Sequence, residues 1–239
     1  MSADWIDLQQ TVDRRESADY RKRRQELQQA EIALMRQREQ VAEMRRALPT
    51  GAVIKQDYIF QEGSADLAAG DKPVREVRLS QLFTAPKRSL ILYHFMYGKG
   101  QRKACPMCTM WIDGFNGVAD HLAENVDFAV IAAADLPALR EHGRWRGWHH
   151  LRLLSCGSNT FKSDFASEDK EGKQHSTITV FTRDVDGNVR HFYTAHPNMS
   201  DEFDQRGIDL LCPVWHVLDL TPEGRDDWYA ELEYKSFTA

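Results

Sequence analysis

From Met1 to Leu48 the chain carries neither glycine nor proline, and it is rich in Arg, Glu, Gln and Ala, all good helix formers. Such a stretch is predicted to be one long helix. From Tyr20 onward, large apolar residues recur every seven positions, at Tyr20, Leu27, Leu34, Val41 and Leu48, with Ala30 and Met44 between them. They draw one narrow stripe down one face. Pro49 and Gly51 end the pattern, because proline cannot continue the hydrogen-bonded ladder and disfavours helical geometry in the residue before it. A helix of about 28 residues spans roughly 42 Å, more than a small domain needs. The stripe either straps the helix across its own domain or pairs it with the same helix of a second chain, and a homodimer through this helix is the expected arrangement. The first fifty residues hold ten basic and nine acidic side chains. That balance reads as a solvated, ion-paired face and not as a nucleic-acid arm.

The whole chain has 239 residues and a formal charge of −5, which excludes a nucleic-acid wrapper by bulk charge. Four cysteines in so long a chain are too few for a disulfide-stapled scaffold, so the fold must stand on its core. The start has no apolar segment of signal type, and the longest apolar runs, Ser89 to Phe95 and Phe128 to Ala134, fall far short of the roughly 20 residues that span a bilayer. A cytoplasmic protein without membrane contact is expected. Two parts are read: a helical extension over 1–50 and a folded domain over 51–239.

In the second part short strands and helices alternate. Val53–Gln61 and Val74–Leu79 are predicted to form a hairpin, and Ser89–Phe95 a buried strand. A helix follows over about Pro106–Glu124, then a strand over Val126–Ala134, a helix over Leu136–Trp145 and a short strand over Leu151–Leu154. A second hairpin, Ser176–Arg183 with Val189–Ala195, turns at Asp184-Val-Asp-Gly-Asn188. A helix over Asp201–Leu211 is expected before the C-terminal stretch. The order describes an α/β sheet whose first part is parallel and whose last pair is antiparallel.

Cys105-Pro106-Met107-Cys108 carries the chemistry. It lies a short loop after the strand at 89–95 and opens a helix. The first turn of a helix has unpaired N–H groups and the positive end of the macrodipole, both of which stabilise a thiolate. Lys99, Arg102 and Lys103 stand just upstream and would add positive potential. Pro106 suits the first helical position, where its missing N–H costs nothing. Cys105 is therefore expected to have a pKa below about 7.5 and to act as nucleophile. Cys108, one turn on, would close a disulfide with it. Half a zinc site and an inert pair are the competing readings of the same four residues. No second CxxC or HxxxH is present, and Cys156, Cys212, His149 and His150 supply no ligand set by spacing. No metal and no cofactor are expected. Cys156 and Cys212 are read as packing residues and His94 as a structural histidine. The loop at Asp184 has Ala195 where an EF-hand needs glutamate, so it reads as a turn. P-loop, GxGxxG, GxSxG and HExxH patterns are absent.

The chain from about Arg45 onward resembles the DUF899 family of bacterial thioredoxin-like proteins. The matching stretches include Asp57-Tyr58-Ile59-Phe60, Leu92-Tyr93-His94-Phe95-Met96-Tyr97-Gly98, Cys105-Pro106-Met107-Cys108, Trp111-Ile112-Asp113-Gly114-Phe115-Asn116-Gly117 and Leu218-Asp219-Leu220-Thr221-Pro222-Glu223-Gly224-Arg225. The resemblance implies a thioredoxin-like fold and a thiol–disulfide role for Cys105 and Cys108, with protein or small-molecule disulfides as partners. Thioredoxins place Trp before the first Cys and Gly-Pro between the two; here Ala104 precedes and Pro-Met intervenes. Where thioredoxins carry a cis-proline facing the disulfide, this chain aligns Ser176, followed by Thr177; with Trp111 these are expected to face substrate. Peroxiredoxins share the fold but need Pro and Thr before their cysteine, and Gln101-Arg102-Lys103-Ala104 has neither. A thiol peroxidase, with Cys108 resolving the sulfenic acid, is the nearest alternative. A non-enzymatic binding or redox-sensing module is the other.

Overall fold

The computed structural model describes residues 16–157, 159–202 and 206–234. The chain divides into two compact units, Met1–Pro49 and Thr50–Ala239. In the first, α1 runs over Ala18–Arg46. The Ser17 hydroxyl accepts a hydrogen bond from the Tyr20 N–H at 3.1 Å, and Asp19 lies at the positive end of the helix with Arg45 and Arg46 at the other. No residue of α1 is buried. The part of the helical expectation that falls on residues 1–15 lies outside the described residues.

The second unit is built on one seven-stranded mixed sheet. Its strands are β1 (Ile59–Glu62), β2 (Arg75–Arg78), β3 (Leu90–His94), β4 (Asp127–Ala132), β5 (Arg152–Ser155), β6 (Thr177–Arg183) and β7 (Val189–Ala195), in the spatial order β2-β1-β5-β4-β3-β6-β7. The strands β3, β4 and β5 are parallel, β6 runs antiparallel to β3, and β6 and β7 form the predicted hairpin. The β1–β2 hairpin adds antiparallel strands at the other edge, beside β5. A strand, a helix carrying CxxC, a parallel strand and a later antiparallel hairpin in one sheet make this a thioredoxin-like fold.

Alternation along β3 divides the core. Tyr93, followed by Phe95, packs with Trp111, Ile112 and Phe115 on one face, while Leu90 and Leu92 pack with Phe60, Ile131, Phe161 and Phe181 on the other. Both faces are covered, so β3 and β4 read as continuous apolar runs.

Three expectations are corrected. The helix expected over Pro106–Glu124 is two helices, α2 (Pro106–Gly117) and α3 (Ala119–Ala123), separated by Val118 at φ −121° and ψ 11°. Asn116 and Gly117, poor helix formers, explain the break. The strand expected from Val53 begins only at Ile59, and Val53 makes an isolated bridge to Arg190. In place of a helix over Asp201–Leu211 there is only a 3-10 turn, Asp209–Leu211, with residues 203–205 outside the described set. The Gly207 N–H bonds the Pro197 carbonyl at 2.7 Å, and a Cβ there would lie 2.2 Å from the His196 carbonyl oxygen. That close approach folds the chain back on itself, which no helical spacing predicts. Among the described residues the remaining α-helices are α4 (Leu136–Arg146), the short α5 (Phe161–Asp164) and α6 (Pro213–Leu218). Among the described residues no helix is long and apolar enough to cross a membrane.

Candidate active site

The site lies where β3 ends. Beyond His94 the chain is pinned at each step: Phe95 N–H bonds the Ile131 carbonyl at 2.8 Å, Tyr97 N–H bonds the Phe95 carbonyl at 2.8 Å, and Cys105 N–H returns to the Met96 carbonyl at 3.1 Å. The Gln101 side chain closes the loop between by accepting from Gly98 N–H at 2.7 Å. This loop delivers Cys105 to the N-cap of α2 in extended geometry (φ −65°, ψ 123°), with Pro106 in the first turn.

A cap at this position needs an acceptor, and here it is sulfur. Cys105 Sγ accepts from the Cys108 N–H at 3.4 Å. The same thiolate receives the Cys108 thiol, the Met107 N–H and the Tyr229 phenol. The Cys108 hydrogen bond leads in bringing the Cys105 thiol down to about 6, against the opposing push of burial. Cys108 goes the other way: buried, and facing the Cys105 thiolate, it is held well above the ordinary thiol range. The two cysteines are thus an ionised, half-buried nucleophile and a neutral, buried partner, both free thiols.

Phenols flank the pair on each side. Tyr93, fully buried, lies 3.0 Å from Ser176 Oγ, and its phenol favours the Cys108 thiolate. Tyr229 touches Cys105; burial and the thiolate beside it push its phenol up to about 12, so it stays a donor. A third support comes from α2 itself. The Thr109 hydroxyl donates to the Cys105 carbonyl at 2.9 Å and meets His142 Nε2 of α4 at 3.1 Å. Burial and Arg146 lower His142 to about 4, so it is a neutral ring at neutral pH. Lower on α2, Asp113 accepts from Trp148 Nε1 at 2.7 Å and ties the helix to the segment just after α4.

A cavity of about 570 Å³ opens on the pair, and Tyr93, Trp111, Ser176, Thr177, Trp215 and Tyr229 are among the side chains that line it with Cys105 and Cys108. Trp111, Ser176 and Thr177, picked from sequence as facing substrate, therefore meet the dithiol in one cavity. The peptide bonds on either side of Ser176 are trans. Pro106 stands at the first helical position of α2. Lys99, Arg102 and Lys103 are exposed on the preceding loop, and the groups that lower Cys105 are Cys108, the Met107 N–H and Tyr229. Tyr93, Thr109, His142 and Tyr229 were not expected from sequence. Tyr93 follows the alternation of β3; Tyr229 sits in an irregular C-terminal segment and carries no local signal.

Of the other cysteines, Cys156 is buried with its sulfur 3.3 Å from the Ala132 carbonyl, and burial raises its thiol to about 12. Cys212 is buried beside α6, and burial raises its thiol too. His94 is fully buried, bonds Ser167 Oγ through Nδ1 at 2.6 Å and stacks on Phe161. Among the described residues no three His, Cys, Asp or Glu side chains gather where a metal ion could be held.

Solved structures similar in chain course include the peroxidoxin BcpB of Mycobacterium tuberculosis, at 18% identity over 66% of this chain and 90% of that one, with a TM-score of 0.43. The 1-Cys peroxiredoxin of Plasmodium falciparum matches at 12% identity over 73% of this chain and 100% of that one, TM-score 0.48. The 2-Cys peroxiredoxin of Plasmodium vivax matches at 13% identity over 71% and 98%, TM-score 0.45. No curated protein matches the chain. The model of the family described as "Bacterial protein of unknown function (DUF899)" matches residues 9–237, nearly the whole length, and the chain belongs to the DUF899 family.

Proposed function

We propose that the protein is a thiol–disulfide oxidoreductase, with Cys105 as nucleophile and Cys108 as resolving thiol. The observation that carries this is the cap: a thiolate held by the first N–H groups of α2, with a protonated thiol hydrogen-bonded to it, at the mouth of a cavity. The Cys105 thiolate attacks one sulfur of a substrate disulfide, that S–S bond breaks, and the departing thiolate takes a proton. Cys108 then attacks Cys105 Sγ in the mixed disulfide, releasing the second substrate thiol and leaving a Cys105–Cys108 disulfide. Two electrons pass from protein to substrate, and an external dithiol restores the pair.

Peroxide reduction is the second reading, and the Tyr229 phenol beside Cys105 favours it as a donor to the departing oxygen. In that reaction the thiolate takes one peroxide oxygen, the O–O bond breaks, and Cys108 condenses with the sulfenic acid to release water. One experiment separates the two. Reduced protein is mixed with hydroxyethyl disulfide or with hydrogen peroxide, and the loss of two hydrogens at Cys105–Cys108 is followed by mass. Fast oxidation by the disulfide, with a Cys105 mixed disulfide trapped in Cys108→Ser, is the expected result. Fast oxidation by peroxide alone would assign the peroxidase reading, and inertness to both with free thiols would overturn the redox reading.

We propose further that α1 joins two copies of the chain through the stripe at Tyr20, Leu27, Leu34 and Val41. Its support is the seven-residue spacing and the exposure of Leu27 and Leu34, 52% and 59%. Sedimentation equilibrium of the full chain should give twice the monomer mass, and Leu27→Glu with Leu34→Glu should halve it; a monomeric wild type would end the idea.

A further inference from the structure

A buried lysine lies on the far side of the peptide that faces Cys108. Lys162, on α5, is 2% exposed, and its Nζ donates to the Phe95 carbonyl at 2.8 Å. The Phe95 carbonyl and the Met96 N–H belong to one peptide group, and that N–H is among the groups that favour the Cys108 thiolate. Lys162 Nζ–H on the O=C of Phe95 thus stands one peptide group away from the N–H that favours the Cys108 thiolate. A cation on the carbonyl end of an amide polarises its N–H, and hydrogen bonds in such a chain strengthen one another in a low-dielectric interior. We infer that Lys162 is a positioning residue for the resolving step: its charge, relayed through the Phe95–Met96 peptide, stabilises the Cys108 thiolate as it forms and so speeds closure of the Cys105–Cys108 disulfide.

The inference rests on the proposed dithiol chemistry and deepens it. In the step concerned, the Cys108 proton goes to the departing substrate thiolate while Lys162 keeps its own, so proton and electron counts are those already given. A bare ammonium in an apolar core is costly, and burial lowers Lys162 to about 8. The groups that face it are His94, itself neutral in its buried setting, together with Cys156, Cys108 and Glu168. None of these forms a close ion pair with Lys162 that would explain placing a charge here for stability alone. Removing the charge need not orphan the carbonyl, because Phe95 O also accepts from Tyr97 N–H.

The test uses Lys162→Met, which keeps length and apolar bulk, and Lys162→Gln, which keeps a donor without charge. A Cys105 mixed disulfide with thionitrobenzoate is formed in the full chain, and release of the dye by Cys108 is timed across pH. Both variants should resolve roughly three- to tenfold more slowly at neutral pH, because the thiolate fraction falls by more than nucleophilicity rises with pKa, and their rate profiles should move to higher pH. Alkylation of Cys105 should change less than twofold. Wild-type resolution in Lys162→Met, wild-type resolution in Lys162→Gln, or equal slowing of both cysteines would each overturn the inference. A second measurement stands apart from exchange activity. The Met96 amide proton resonance of the reduced wild type should follow the Lys162 titration near pH 8 and lose that step in Lys162→Met. A Met96 resonance blind to Lys162 overturns the relay even in an active oxidoreductase, whereas an inactive protein with the relay intact points to failure of the oxidoreductase reading instead.

Discussion

Two helices of this protein begin with the same bond made by different atoms. At α1 the Ser17 hydroxyl accepts the Tyr20 N–H at 3.1 Å; at α2 the Cys105 sulfur accepts the Cys108 N–H at 3.4 Å. Beyond the cap they diverge. No residue of α1 is buried, whereas α2 buries Met107, Cys108, Thr109, Trp111, Ile112 and Phe115. A hydroxyl does not ionise, so the first cap contributes only to helix stability. A thiol can ionise, and the unpaired N–H groups that a cap satisfies also stabilise the anion. The difference teaches that a capping position becomes reactive when the capping atom is titratable and the packed helix behind it holds a second group against it.

Substituting each cap should give effects of very different size. Cys105→Ser should reduce disulfide exchange to background while leaving the fold and its thermal unfolding near the wild type, read by hydroxyethyl disulfide turnover and circular dichroism. Cys108→Ala should come next, because Cys108 is the leading cause of the Cys105 shift. The sign is direct: an acid with a pKa near 6 is roughly nine-tenths anion at pH 7, and raising it toward the ordinary thiol value makes the anion a minority. Alkylation of Cys105 by iodoacetamide should therefore slow several-fold at pH 7 and recover by pH 9. An unmoved pH profile would refute the cap-and-partner account.

Tyr229→Phe should shift the same profile upward by less than Cys108→Ala, since the phenol is the smallest of the named stabilisers. Replacing Lys99, Arg102 and Lys103 together by Gln tests the sequence-derived idea that a basic loop holds the thiolate. Exposed charges are screened over about 8 Å at physiological salt, so the rate at pH 7 should change by less than about twofold. A larger change would return these residues to the site. Smallest is Ser17→Ala, expected to cost the α1 helix about 1 kcal/mol and nothing in exchange rate, read by helicity on heating.

Much of this was legible along the chain. The run without glycine or proline announced α1, and the alternation of apolar strands with helical segments announced β3, α2, β4 and α4 in order. The CxxC at a strand-to-helix junction located the nucleophile, because N-cap chemistry is local. Several of the misses share one cause. Within 201–211, where a helix was expected, Gly207 makes a close backbone approach to His196 and Pro197, a contact fixed by the path of the folded chain. Tyr229 reaches the dithiol, and Lys162 the Phe95 carbonyl, from irregular or short elements whose own sequence says nothing of where they land.

By itself, then, the sequence determined those features whose physics is short-ranged: helix propensity, strand alternation, hairpin turns, and the placement of a thiol where unpaired N–H groups await an acceptor. Tertiary structure alone decided which thiol ionises and what surrounds it. Burial and a phenol from the C-terminal segment act through space, and electrostatic and desolvation energies depend on distances that only the packed fold sets.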